Sequence, residues 1–132
     1  MIGIRRAETL QHVPLFEGLS KRELTEAARV GYERSYLAGT ELAKEGEPGD
    51  AFYVMLEGTA DVQRGGEQLN ELGAGDFFGE IGLLGHSART ASVVARTDVR
   101  TFVIPARGFR ALIGRMPDVH GKVLAALVAR AE

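Results

Sequence analysis

The chain contains no cysteine, which excludes disulfide bonds, thiol nucleophiles and thiolate metal sites. This absence fits a reducing compartment, and a cytoplasmic location is the prediction. Long apolar runs are also missing, because AFYVML and VLAALVA fall far short of the ~20 residues that a membrane-spanning helix needs. No basic segment followed by an apolar stretch opens the chain, so we expect neither a secretory signal nor a membrane partner.

Neither sign of charge dominates the chain. Sixteen Lys and Arg residues oppose 18 Asp and Glu residues, and the net charge is −2 over 132 residues. No overall field therefore attracts the chain to nucleic acid, and we expect no nucleic-acid binding through this chain alone. The length fits one domain with one core.

Histidine is scarce, and its positions argue against a metal site. His12, His86 and His120 do not form a pair with metal-ligand spacing on a predicted strand or helix. A cupin, a β-roll with similar strand signals, would need clustered His and Glu. The sequence therefore predicts no metal site, and it supplies no evident nucleophile or catalytic residue.

Three segments follow one another along the chain: predicted helices over 4–31, strands over 32–105 and helices over 106–131. Ser20 and Glu23 have the spacing of a capping box before a short helix. The middle segment consists of short β-type runs separated by glycines: YERSYL, TELAKE, AFYVMLEG, TADVQR, EQLNEL, TASVVA and VRTFVIP. The predicted fold is α+β but mainly β. It is an antiparallel, jelly-roll-like β-roll with a short N-terminal helical segment and two C-terminal helices.

The C-terminal segment carries two apolar stripes with helical spacing. The first stripe contains Phe109, Leu112, Ile113 and Met116, and the second contains Val119, Val123, Leu124, Leu127 and Val128. Pro117 between them should break or restart the helix. Gly121 lowers helix stability in the turn after Pro117, so we expect a hinge there.

The stretch FGEIGLLGHSARTASV, residues 78–93, places one acid, Glu80, and one base, Arg89, among glycines and apolar residues. Glycines let backbone amides approach an anion, and a guanidinium adds two parallel donors. A carboxylate instead accepts hydrogen bonds from sugar hydroxyls. The stretch therefore suggests a site for a sugar phosphate, and a structural Glu80–Arg89 ion pair is the alternative.

The same stretch resembles the phosphate-binding cassette of the cyclic nucleotide-binding domain family, which includes catabolite activator proteins, cyclic-nucleotide-dependent protein kinases and cyclic-nucleotide-gated channels. The cassette elements FGEIGL and RTASV both match. PLFEGLSKREL is similar to the family's entry helix, EGEPGDAFYVMLEG to its hairpin and FRALIGRMP to the helix after the roll. The resemblance implies a single cyclic nucleotide-binding domain over 1–132, with its cassette at 78–93.

The resemblance also implies a ligand-binding set within the cassette: Gly79, Glu80, Ile81, Gly82, Arg89, Thr90 and Ala91. Glu80 would bind the ribose 2′-hydroxyl, and Arg89 would bind the exocyclic phosphate oxygens. The amides of residues 81, 82 and 91 would complete the anion site, and Gly79 would permit the approach. Thr90 can reach the phosphate or the base without deciding between adenine and guanine. Three apolar residues are expected to line the base pocket: Val62, Leu69 and Leu72.

Three function classes follow. The favoured one is a regulatory sensor that binds a cyclic nucleotide, cAMP before cGMP, and signals through movement of its C-terminal helices. A phosphodiester hydrolase is second, but the sequence supplies neither a metal nor a nucleophile. The third is a degenerate fold that acts as a protein-interaction module without nucleotide. No cofactor is expected besides the nucleotide, and the expected partner is a second copy bound through the C-terminal helix or an effector domain.

Overall fold

The computed structural model describes residues 8–79, 89–122 and 125. Among these residues a 3-10 turn spans Pro14–Phe16, and the α-helices α1 and α2 span Lys21–Arg29 and Ala106–Arg115. Between the two helices lie eight strands, β1 to β8: Tyr32–Tyr36, Glu41–Ala43, Ala51–Glu57, Ala60–Arg64, Glu67–Leu72, Phe77–Phe78, Ser92–Ala95 and Val99–Pro105.

The strands form two four-stranded sheets, in the orders β1-β8-β3-β6 and β2-β7-β4-β5. All six strand pairs are antiparallel. This arrangement confirms the predicted β-roll flanked by helices. Phe77–Phe78 differs from expectation, because the glycine-rich stretch around it predicts no strand. Its two residues nevertheless pair with Val54 and Tyr53 of β3.

Strand β3 separates two hydrophobic cores. Phe52 and Val54 face a cluster built with the helices, while Tyr53 and Met55 face a cluster between the two sheets. Side chains alternate across a strand, so a strand buried on both faces reads as a continuous apolar run. The run AFYVML therefore occupies the centre of the molecule and determines what lies on either side of it.

The first helix begins where its capping residues predict. Ser20 Oγ accepts a hydrogen bond from the Glu23 amide at 3.1 Å, and Glu23 Oε1 accepts one from the Ser20 amide at 2.9 Å. The helix buries Leu24, Ala27 and Ala28 against the cluster it shares with β3. The expected capping box is confirmed.

The C-terminal helices are interrupted before Pro117. Helix α2 ends at Arg115, and residues 117–122 are helical again, so Pro117 occupies the first turn of the restarted helix, where its missing N–H costs nothing. Val119 is buried with Met116. Lys122 Nζ donates to the carbonyl oxygens of Pro14 and Glu17, at 2.9 and 3.0 Å. The remaining residues of the second stripe lie outside the described residues.

Within the described ranges, no helix is long and apolar enough to cross a membrane.

Candidate functional site

The predicted ligand-binding set divides into two parts. Four of its members are described: Gly79, Arg89, Thr90 and Ala91. The other three lie outside the described residues: Glu80, Ile81 and Gly82. The geometry of the site therefore rests on the two ends of the cassette, which the fold brings together.

Arg89 is a buried charge whose side chain is held from one end of β3. The residue is 8% exposed. Its Nη2 atom donates to Asp50 Oδ1 at 3.2 Å and to the Ala51 carbonyl at 3.1 Å. The Asp50 side chain is 84% exposed, so the partner carboxylate lies at the surface while the guanidinium lies beneath it. A buried guanidinium without such partners would be costly, and these contacts offset the cost of its burial.

The backbone of Arg89 is fixed by the turn between β2 and β3. The Arg89 amide donates to the Glu47 carbonyl at 2.8 Å, and the Gly46 amide donates to the Arg89 carbonyl at 2.9 Å. The β-type run TASVVA directly follows Arg89 in the sequence, but β7 begins only at Ser92. The turn, rather than the sheet, therefore sets its position.

Gly79 lies directly beside this guanidinium. Its φ angle is +99°, and a Cβ at this position would lie 2.7 Å from the Ala51 carbonyl oxygen and 3.2 Å from Arg89 Nη1. Both the left-handed conformation and the close approach disfavour any residue with a side chain here. The structure thus joins Gly79, Ala51 and Arg89 in one contact.

Thr90 and Ala91 continue from the arginine toward β7. The Thr90 side chain is exposed, and its carbonyl accepts a hydrogen bond from Arg64 Nε at 2.9 Å. Ala91 is partly buried. Both residues therefore lead from Arg89 into β7, the strand that pairs with β4.

The three residues expected to line a base pocket lie in the β4–β5 hairpin. Leu72 is buried in the cluster between the sheets, and Val62 is partly buried against the same cluster. Leu69 is 50% exposed. The hairpin brings the three residues to neighbouring strands but leaves Leu69 outside the core.

Sequence reasoning missed the two residues that hold the guanidinium, Asp50 and Ala51. A signal was present, because Asp50 ends the turn EGEPGD immediately before the most apolar strand. A carboxylate at the entrance of a buried strand is well placed to pair with a buried cation. Its partner, however, lies 39 positions away along the chain. In the ranges that the structure describes, no three His, Cys, Asp or Glu residues are grouped to hold a metal ion.

Tyr53 adjoins Arg89 on the inner face of the roll, and Tyr36 packs against the same core. The Arg89 Cζ atom lies 5.7 Å from the centre of the Tyr53 ring. Burial raises the pKa of Tyr53 to about 12, and it raises the pKa of Tyr36 above its ordinary value. Both hydroxyls are therefore protonated at neutral pH.

Comparison with known proteins identifies a family and relatives to which this chain is similar. The cyclic nucleotide-binding domain family matches residues 33–116. The cAMP-dependent protein kinase regulatory subunit of Aspergillus niger is 38% identical over 112 residues, which is 83% of this chain and 27% of that protein. The cGMP-dependent protein kinase egl-4 of Caenorhabditis briggsae is 35% identical over 118 residues, 89% of this chain and 16% of that protein.

Among solved structures, the regulatory subunit of a cAMP-independent protein kinase A from Trypanosoma brucei superimposes with a TM-score of 0.83 at 31% identity. The match covers 94% of this chain and 46% of that one. The chain thus spans less than a third of the curated relatives it matches and about half of that structure. The matched residues include the turn that holds Arg89, the arginine itself and the roll around them. The chain belongs to the cyclic nucleotide-binding domain family.

Proposed function

We propose that this domain is a regulatory sensor that binds cAMP in preference to cGMP, with Arg89 as the phosphate-binding residue. The observation that carries the proposal is the way the guanidinium is held. Nη2 is engaged by Asp50 and Ala51, while Nη1 faces Gly79, the first residue of the predicted anion site. A guanidinium anchored through one nitrogen presents its remaining N–H groups in a fixed direction, which favours bidentate binding of a phosphate.

The remaining ligand contacts are assigned by resemblance and form part of the proposal. Glu80 accepts the ribose 2′-hydroxyl, and the amides of Ile81, Gly82 and Ala91 donate to the phosphate. Burial of the cation in a roll whose interior is apolar strengthens its attraction to an anion, because the local dielectric constant is lower than that of water. Thr90 is exposed beside Arg89, so its hydroxyl is proposed to add a weaker contact.

A calorimetric titration with cAMP and cGMP side by side tests the proposal. The wild-type chain should bind both, with cAMP the tighter ligand. Arg89→Ala should weaken cAMP binding by about tens to thousands of times, because a charged partner of a buried phosphate is lost. Thr90→Val should weaken it by only about twofold to tenfold, since one neutral hydrogen bond is lost.

Arg100→Ala is the matched control. Arg100 lies in β8 and binds Glu33 and Glu57 at 3.1 and 2.7 Å, so it tests the loss of an arginine from a surface ion-pair network. Its cAMP affinity should equal that of the wild type. Equal affinities for Arg89→Ala and Arg100→Ala would reject Arg89 as the phosphate ligand.

One observation favours the second candidate, an interaction module without nucleotide. Arg89 already has a carboxylate partner, Asp50, as a purely structural ion pair would. In this case neither nucleotide at millimolar concentration should raise the melting temperature, whereas binding at a hundredfold excess over Kd adds ~2.7 kcal/mol of stability. Chromatography of cAMP after incubation with the protein tests the hydrolase alternative, and we expect the nucleotide to be recovered intact.

The output of the sensor is proposed to pass through the C-terminal helices. Val119 is buried against the first core, and Lys122 is bonded to the turn at residues 14–17, so a change in this helix would reach the N-terminal turn. Amide exchange over residues 119–128 and 79–91 is expected to slow when cAMP binds. Slower exchange in the cassette alone would reject signalling by this helix. A partner effector domain or a second copy of the chain would then read the docked helix.

A further inference from the structure

Tyr53 occupies the junction between the inner core and the start of the cassette. It lies in β3 directly opposite Phe78 of β6, and Gly79 follows Phe78 along the chain. The two rings are parallel, with 4.6 Å between their centres and 4° between their planes. The last side chain before the predicted anion site is therefore stacked on Tyr53.

The same tyrosine ring also adjoins the guanidinium of Arg89. The distance of 5.7 Å from Arg89 Cζ to the ring centre lies within the ~6 Å at which a cation is attracted to an aromatic face. Asp50 and Ala51 hold the guanidinium through Nη2. Tyr53 thus contacts both halves of the cassette, the residue before Gly79 and the arginine ten positions after that glycine.

The side chain of Tyr53 has a second tyrosine near it. It interacts electrostatically with Tyr36 in β1, and the Tyr36 ring lies 4.8 Å from Arg34 Cζ. Tyr53 is 8% exposed, and a buried hydroxyl is costly unless it is bonded. Met55, two residues along the same face of β3, shows that an apolar side chain serves as well for packing alone. The tyrosine at position 53 therefore provides more than apolar volume.

We propose that Tyr53 is a positioning residue for nucleotide binding: its ring holds the Arg89 guanidinium in place for the phosphate, and its stacking on Phe78 together with its interaction with Tyr36 fixes the ring. A free arginine side chain has large rotamer entropy. If the side chain is already restrained before the ligand arrives, less of this entropy is lost on binding. Asp50, at the surface, restrains Nη2 of Arg89. Tyr53, in the core, restrains the plane of the Arg89 guanidinium. The inference rests on the proposed function, because it concerns how the phosphate ligand is positioned.

Two substitutions at position 53 separate the ring from the hydroxyl. Tyr53→Leu removes the aromatic face and should weaken cAMP binding by about 3- to 30-fold. Tyr53→Phe keeps the ring and should weaken it by about twofold to fivefold, as should Tyr36→Phe. The double variant Tyr36→Phe/Tyr53→Phe should bind like either single variant, since both substitutions remove the same interaction between the two hydroxyls.

Coupling to Arg89 distinguishes positioning from a general loss of packing. In an Arg89→Gln background, Tyr53→Leu should weaken cAMP binding by less than about twofold, because the cation that the ring positions is absent. Phe102→Leu is the matched control, an aromatic-to-leucine change at the residue opposite Val54, in the other core. It should lower the melting temperature but leave cAMP affinity unchanged.

Three results would overturn the inference. They are wild-type affinity in Tyr53→Leu, an equal loss with and without Arg89, or an equal loss in Phe102→Leu. If Tyr53→Leu does not fold, the isosteric Tyr53→Phe and Tyr36→Phe variants decide, and wild-type affinity in both rejects the proposal. A wild-type chain that binds no nucleotide would reject the proposed function itself. Binding that is lost in Arg89→Ala and retained in Tyr53→Leu would reject only the positioning role.

Discussion

Replacing Gly79 with alanine tests the contact on which the site is built. The left-handed backbone at φ +99° costs a residue with a Cβ ~1–2 kcal/mol. The new methyl group would lie 2.7 Å from the Ala51 carbonyl, and relieving such overpacking costs a further ~1–3 kcal/mol. The expected loss in free energy of unfolding is therefore about 2–5 kcal/mol. At about 4 °C per kcal/mol for a chain of this size, the melting temperature falls by roughly 8–20 °C.

Two other glycines allow the contributions to be separated. Gly39 has a φ angle of +89°, and a Cβ added there would have no atom within 4 Å, so Gly39→Ala should lose only the ~1–2 kcal/mol that the left-handed backbone costs. Gly114 lies in α2 with open space around it, and Gly114→Ala should gain up to ~1 kcal/mol. Urea denaturation of the three variants supplies the free energies.

The refuting result is equal destabilisation by Gly79→Ala and Gly39→Ala. It would mean that the Ala51 carbonyl moves away easily and that the packing beside Arg89 is loose. Calorimetry adds a second readout, because the methyl group would lie 3.2 Å from Arg89 Nη1 and should weaken cAMP binding as well. Gly39→Ala, whose β1–β2 turn lies outside the cassette, should bind cAMP as the wild type does.

The remaining predictions concern stability and pH. Gly121→Ala should raise the free energy of unfolding by up to ~1 kcal/mol, because open space surrounds the site. Gly108→Ala should lower it by ~1–3 kcal/mol, because the new Cβ would lie 2.7 Å from the Val30 carbonyl oxygen. Urea denaturation measures both changes. The pKa of Tyr53 is about 12 in the folded chain and near 10 when unfolded, so its contribution to stability is complete below pH 10 and is lost as pH rises toward 12. Between about pH 9 and pH 11, Tyr53→Phe should therefore lose ~1 kcal/mol less stability than the wild type. Lys122→Met should cost ~1 kcal/mol by removing two hydrogen bonds from a charged donor, measured by thermal unfolding, and an unchanged melting temperature would contradict this expectation.

The sequence predicted the elements of the fold well because local signals determine them. Ser20 and Glu23 form a capping box wherever a helix follows, and AFYVML forms a strand because its apolar run is short and bounded by glycines. The strand Phe77–Phe78 was missed because two residues carry no periodicity. Its existence depends on pairing with β3, which is a tertiary contact.

The sequence predicted the kind of site but only some of the residues that form it. Arg89 and Gly79 were found because a cation and a glycine stand out in an apolar stretch. Asp50, Ala51 and Tyr53 were not found, since each contacts Arg89 across more than 35 positions of the chain and none is unusual in its own neighbourhood. The chemical character of a single residue can be read from the sequence. The residues that contact a charge from distant parts of the chain depend on the tertiary structure.

The strand order β1-β8-β3 has a consequence for how the chain is made. The first strand pairs with the last one, with Tyr32 opposite Val103, and β8 also separates β1 from β3. During vectorial synthesis, the first sheet lacks the strand that joins β1 to β3 until residues 99–105 have left the ribosome. Pairing across such sequence separations slows folding, in the range of milliseconds to seconds for β-rich domains. Nascent chains that stop before Val99 should therefore remain sensitive to protease, and resistance should appear abruptly once β8 is available rather than accumulate strand by strand.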